Sequence, residues 1–168
     1  EVQRMGSEAM VALREIIAVD NKQNKTWETF LGSLREFVQR EEIEKKVKVC
    51  FHIVGKAPNK MVPSKMEYHL FRIYKEIVVN VLKHSKATQI NIEIGFHKGV
   101  FSLVILDDGV GFDPGAKYDG NGLKNIKMRV KQLGATCGYN ALGTQFSFFF
   151  NFEKIPPRKG WFYFKRTQ

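Results

Sequence analysis

Hydrophobic positions along this chain repeat with two periods, and the switches between them mark out its elements. Met10, Leu13, Ile16 and Ile17 fall at helical spacing, so the N-terminal part reads as the end of a helix. The polar stretch Asp20 to Lys25 breaks it. Trp27, Phe30, Leu31, Leu34, Phe37 and Val38 then form a stripe on a second helix, with Thr26 as its N-cap and a charged surface run, Arg40 to Lys46, at its end. Val47, Val49, Phe51 and Ile53 alternate with polar or small residues, the pattern of a half-buried strand. After a loop from Gly55 to Pro63, Ser64 and Glu67 read as a capping box opening a helix. It carries Leu70, Ile73, Ile77, Val78 and Val81 and stops near Ser85 to Ala87.

Ile90, Ile92, Ile94 and Phe96 alternate again, His97-Lys98-Gly99 turns the chain, and Val100 to Leu106 returns it as a hairpin. Asp107 to Gly122 is glycine-rich and loop-like. Leu123, Ile126, Val130 and Leu133 mark a short helix closed by Gly134, and the strands Thr136–Asn140 and Thr144–Phe152 flank a turn at Leu142-Gly143. The body, residues 47–153, is thus a mixed α/β layer. Residues 1–46 form a helical pair before it, and residues 154–168 a basic, aromatic tail.

Composition narrows the function classes. A chain of 168 residues that is 43% hydrophobic fits one domain with a real core and excludes wholesale disorder. The most apolar stretch, Phe146 to Phe152, is strand-length, and no run approaches the ~18 residues of a membrane span. The chain starts at Glu1 with no basic-then-apolar leader, so we expect an excised part of a larger protein. Cys50 and Cys137 are far apart, without zinc-ligand spacing, and we expect reduced, mostly buried thiols in a cytosolic setting. Residues 1–46 hold 8 basic and 9 acidic side chains, a net −1, so the remainder carries +11 against a total of +10. That surplus favours an anionic partner: nucleic acid, a phosphorylated ligand or an acidic protein face.

Four short clusters carry the candidate chemistry. Glu76, Asn80, Lys83 and His84 share one flank of an otherwise apolar helix; they could ligate magnesium, polarise water and hold phosphate, or simply form a solvated face. Asp107-Asp108-Gly109-Val110-Gly111 follows a strand, where a carboxylate can accept from a ligand amine while the glycines admit close backbone approach; an ordinary acidic turn would look the same. Gly120-Asn121-Gly122-Leu123 opens a helix whose free N–H groups suit an anion, with Lys124 and Lys127 adding to the field, although a lone GxG is also just a turn. Gly143-Thr144 between two strands is by itself a hairpin.

Taken in order, the four resemble the ATP-binding domain of the GHKL superfamily and, within it, that of sensor histidine kinases. Glu76, Asn80, Lys83 and His84 match the N box, and the Asp107–Gly111 run matches the DxGxG box, with Asp108 where Asn is commoner. Gly120-Asn121-Gly122-Leu123 matches the GxGL box and Gly143-Thr144 the closing glycine-threonine. The resemblance covers residues 64–153, and residues 13–37 look like the connector of short-lid kinases similar to nitrate and membrane-fluidity sensors. It implies a two-layer α/β sandwich of the Bergerat type, a mixed sheet with helices on one face. It further implies ATP and Mg²⁺ as cofactors. Asp107 would accept from the adenine amino group, with Gly109 and Gly111 letting the backbone pass the purine. Asn80 would ligate magnesium, and Glu76 would orient or accept a proton. Lys83 and His84 would lie near phosphate oxygens. Gly120, Gly122 and Leu123 would form the phosphate side, and Thr144 would help bind adenine. Two departures stand out: only residues 112–119 separate the second and third boxes, without a phenylalanine-rich lid, and Gly134-Ala135 stands where two glycines are usual.

A kinase of this type phosphorylates a helical histidine followed by an acidic residue. His52, His69, His84 and His97 precede Ile, Leu, Ser and Lys, so none fits, and the acceptor is expected outside this chain. His52 then reads as a strand-face residue, His97 as a turn residue and His69 as a helix-surface one. The implied partners are the phosphoacceptor hairpin, in cis or from a dimer partner, and a response regulator. Neither nucleic acid nor membrane contact is expected of this cytoplasmic part of an anchored parent. Two other readings remain: a serine kinase similar to anti-sigma-factor kinases, against which the connector argues, and a non-catalytic nucleotide- or nucleic-acid-binding module.

Overall fold

A computed structural model describes residues 25–111, 122–140 and 145–151. The expected first helix, Gly120, Asn121, the Leu142-Gly143 turn, Thr144 and the tail lie outside these residues. The described elements run α1 (Trp27–Lys45), β1 (Lys48–Val54), α2 (Ser64–His84), β2 (Gln89–His97), β3 (Val100–Asp107), α3 (Gly122–Gln132), β4 (Thr136–Asn140) and β5 (Gln145–Asn151). The strands form one mixed sheet in the order β1-β2-β3-β5-β4. β1 and β2 pair in parallel across the α2 crossover, and the remaining pairs are antiparallel.

Alternation decides which face of the sheet is covered. Ile90, Ile92, Ile94 and Phe96 of β2, Phe101, Leu103 and Ile105 of β3, and Phe146 and Phe148 of β5 are all buried, in one cluster with the apolar stripes of the three helices. Their neighbours in sequence, such as Asn91, Glu93, Ser102 and Ser147, occupy the opposite face. The result is a two-layer α/β sandwich with the helices on one side, as expected. The β2–β3 hairpin closes through Lys98 and Gly99, both at positive φ (44° and 76°), which matches the strand twist.

Thr26 caps α1 as its sequence position suggests, its hydroxyl accepting from the Thr29 N–H at 3.2 Å. The α1 stripe is core: Trp27 stacks on Phe101 with centroids 5.4 Å apart and meets Phe96 edge-on at 5.1 Å. Tyr74 of α2 is fully enclosed, its hydroxyl donating to the Leu34 carbonyl at 3.1 Å, and burial pushes its phenol far above the ordinary range. The Val62 N–H donates to the Lys25 carbonyl at 2.7 Å, and the Lys25 ammonium sits 2.9 Å from the Glu67 carboxylate, joining the starts of α1 and α2.

The start of α2 corrects one expectation. Ser64 is not the N-cap residue a capping box requires: α2 begins at Ser64 itself and its N-cap is Pro63, without a side-chain cap, while the Glu67 carboxylate meets Lys25. His69 corrects another. It is not a surface residue but 1% exposed, its Nδ1 accepting from Arg129 of α3 at 3.3 Å. Its place three residues after Met66 and four before Ile73 puts it on the buried stripe, so periodicity overrides polarity. Cys50 and Cys137 are half-buried rather than mostly buried. No helix among the described residues is long and apolar enough to cross a membrane.

Candidate nucleotide site

The site is strung along the second half of α2. From Glu76 to Ser85 the helix rises about 14 Å at 1.5 Å per residue, and two other segments dock onto this stretch.

At its C-terminal end sits the turn that follows β3. The Val110 N–H donates to the Ser85 carbonyl at 2.8 Å, and the Gly109 N–H donates to Asp107 Oδ1 at 2.9 Å. Glycine at 109 is dictated by this contact, because a Cβ there would collide with the Ser85 carbonyl and lie 2.7 Å from Asp107 Oδ1. Gly111 takes φ 75°, a left-handed conformation that other residues rarely adopt. The second carboxylate oxygen of Asp107 is buried and has no hydrogen-bond partner among the described residues. A buried acceptor left empty costs about 1–3 kcal/mol, so a site that keeps one is built to receive a donor.

Asp108, next along, does something different. Its carboxylate accepts from the Thr88 and Gln89 N–H groups at 2.7 and 2.8 Å and from the Thr88 hydroxyl. These donors, the Thr88 hydroxyl foremost, hold its carboxyl below the usual range. The two adjacent aspartates therefore separate into one that is saturated and one that is open.

About one and a half and two and a half turns earlier on α2, Asn80 and Glu76 meet the start of α3. A Cβ on Gly122 would strike Glu76 Oε1 and approach Asn80 Nδ2 to 3.2 Å, so the glycine lets the α3 N-terminus lie directly on these two polar side chains. Lys124 and Lys127 are exposed on α3, and Leu123 is half-buried against the core. Lys83 and His84 are exposed in the last turn of α2.

The structure thus brings Glu76, Asn80 and Gly122 together, and Asp107 and Gly109 together, along one helix. It leaves Lys83 and His84 at the rim. Gly120 and Thr144 lie outside the described residues. Sequence reasoning missed Ser85 and Thr88. Ser85 contributes a backbone carbonyl, which any residue owns, and the signal for Thr88 was only the proximity of a hydroxyl to the start of β2.

The donor set is compatible with magnesium. Among the described residues no group of three or more His, Cys, Asp or Glu could hold a metal. Magnesium, however, needs few protein oxygens when phosphates and water complete its shell, and the Asn80 side-chain oxygen can supply one.

Residues 66–154 match the family described as histidine kinase-, DNA gyrase B-, and HSP90-like ATPase. The sensor protein VraS of Staphylococcus epidermidis is 35% identical over 105 residues, covering 62% of this chain and 30% of VraS. VraS of Staphylococcus aureus is 37% identical over 106 residues, with the same coverage. The chain spans about a third of the length of these relatives. Among solved structures, the Acinetobacter baumannii histidine kinase AdeS aligns with a TM-score of 0.61 at 16% identity, over 88% of this chain and 78% of AdeS. The histidine kinase domain of the Erythrobacter litoralis blue-light activated kinase aligns with a TM-score of 0.59 at 16% identity, over 73% of this chain and 65% of that domain. The structural likenesses establish the fold, and the match over residues 66–154 establishes the lineage: the chain belongs to the histidine kinase-, DNA gyrase B- and HSP90-like ATPase family.

Proposed function

We propose that this chain is the ATP-binding catalytic part of a sensor histidine kinase, transferring the γ-phosphoryl of ATP to a histidine outside it. The observation that carries the reading is the buried, unpartnered Oδ2 of Asp107. The exocyclic amine of adenine is a donor of the right kind for it. Guanine presents a carbonyl oxygen at that position and would set two acceptors against each other, so the same atom selects the base.

Gly109 and Gly111 keep the turn low enough for a purine to lie against it. Asn80 holds magnesium with its side-chain oxygen, which neutralises phosphate charge when the ion is bound. Glu76 orients the acceptor or takes its proton. Lys83, His84, Gly122 and Leu123 serve the phosphate side, Gly120 and Gly122 let the chain fold over the phosphates, and Thr144 helps bind adenine. Since phosphoryl transfer is chiefly positioning and charge neutralisation, a shallow site of this kind suffices. The acceptor histidine comes from a helical hairpin in cis or from a dimer partner, and a response-regulator aspartate receives the phosphoryl next. This part of the protein works in the cytoplasm.

The serine-kinase and nucleic-acid readings gain nothing from the relatives, which are sensor proteins and histidine kinases. Incubation with γ-labelled ATP and magnesium tests the proposal. Alone, the chain acquires no label, and a phosphoacceptor hairpin supplied in trans acquires an acid-labile one. Label on a histidine of this chain would refute the external acceptor, and an unlabelled hairpin would refute the kinase.

A further inference from the structure

Asp108 follows the base-reading aspartate directly, yet its side chain engages a different part of the fold. Its Oδ1 accepts from the Thr88 N–H at 2.7 Å and the Gln89 N–H at 2.8 Å, while Oδ2 accepts from the Thr88 hydroxyl. Its own N–H reaches the Gln89 carbonyl at 3.3 Å. Two residues later the Val110 N–H is fixed to the Ser85 carbonyl at 2.8 Å. The turn is therefore clamped on both sides, by Asp108 to the α2–β2 connection and by Val110 to the end of α2. Asp107 sits at the start of the clamped segment, its Oδ1 held by the Gly109 N–H at 2.9 Å and its Oδ2 open.

We infer that Asp108 is a positioning residue for nucleotide selection: by clamping residues 107–110 onto Thr88 and Gln89, it fixes the direction of the open Asp107 oxygen and so sets the preference for adenine over guanine. The inference rests on the reading of Asp107 as the base acceptor. Hydrogen bonds tolerate only a few tenths of an ångström and weaken steeply off-axis, so a turn free to rock would blunt the discrimination before it abolished binding. The clamp is charge-assisted, which makes its bonds the stronger kind.

The same chemistry predicts that asparagine can replace Asp108. The oxygen that takes both N–H groups is one that an amide also owns, and the amide nitrogen could donate to the Thr88 hydroxyl, which is free to accept. Asparagine therefore preserves the clamp, whereas alanine leaves two N–H groups without their acceptor.

The experiment is a pair of titrations of the whole chain, with the non-hydrolysable analogues AMP-PNP and GMP-PNP, alongside thermal melting. Asp108→Ala should weaken AMP-PNP binding about tenfold and barely change the already weak GMP-PNP, so the base preference narrows. Asp108→Asn should stay within about twofold of the parent on both. Thr88→Val, which removes one hydroxyl, should fall between them, and it decides the matter if the alanine variant does not fold. A purely structural role would lower the melting temperature and leave the adenine-to-guanine ratio unchanged; that result overturns the inference, as does an asparagine variant as impaired as alanine. Asp107→Asn serves as the control. If it loses AMP-PNP while Asp108→Ala and Thr88→Val keep the parental ratio, the positioning role falls and the base reading stands. A parent chain without any adenine preference removes both.

Discussion

At the scale of single residues, the proposed function rests on how two neighbouring aspartates divide their bonds. Asp107 keeps one buried oxygen open, and Asp108 has none to spare among Thr88 and Gln89. Asp107→Asn replaces an acceptor by an amide that can present its donor to the adenine amine, so AMP-PNP binding should vanish while far-UV circular dichroism stays unchanged. Asp108 also fixes a pH dependence. Its carboxyl lies below the usual range when folded, so its bonds stabilise the fold above the ordinary carboxylate pKa of about 4 and are lost as pH falls through the lower folded value. Urea midpoints should therefore be flat through neutral pH and decline below about pH 4, and Asp108→Asn should remove part of that decline. Gly111→Ala, forced to φ 75°, should cost about 1–2 kcal/mol in urea denaturation. The turn at Asp107, Gly109 and Gly111 was legible as a carboxylate and two glycines after a strand, but the run alone did not separate a ligand site from an ordinary acidic turn. Ser85 was not, since its contribution is a main-chain carbonyl.

At the scale of elements, α2 does the organising. One face supplies the core stripe from Met66 to Val81, and its second half presents Glu76 and Asn80 to α3 and the Ser85 carbonyl to the β3 turn. The strands were readable because period-two alternation on a one-sided sheet has a single solution. Their order was not, because the parallel β1–β2 pair and the insertion of β5 between β3 and β4 join segments distant in sequence. The helix start was misread by one residue, since α2 begins at Ser64 with Pro63 as its N-cap. Polarity misled at His69, where the helical stripe had the better information. α1 was read as part of a connector, yet Trp27 stacks within the same aromatic group as Phe96 and Phe101. Trp27→Ala should accordingly destabilise the whole body by about 3–5 kcal/mol, measured by urea denaturation, whereas loss of a detachable linker helix would leave its midpoint in place.

At the scale of the whole molecule, a sandwich closed by helices on one side places the adenine end and the phosphate end of the proposed ligand on the same helix, at different heights. The +11 surplus beyond residue 46 suits a triphosphate, although charge alone would equally suit nucleic acid. Base selectivity separates the two, because it depends on one buried oxygen rather than on the field of the surface. The decisive measurement is calorimetric titration of this chain with AMP-PNP, with and without magnesium, against GMP-PNP. The account predicts saturable binding of the adenine analogue, tightened by magnesium, with little response to the guanine analogue. Equal affinity for both bases, or binding that merely fades with added salt and ignores magnesium, would contradict it.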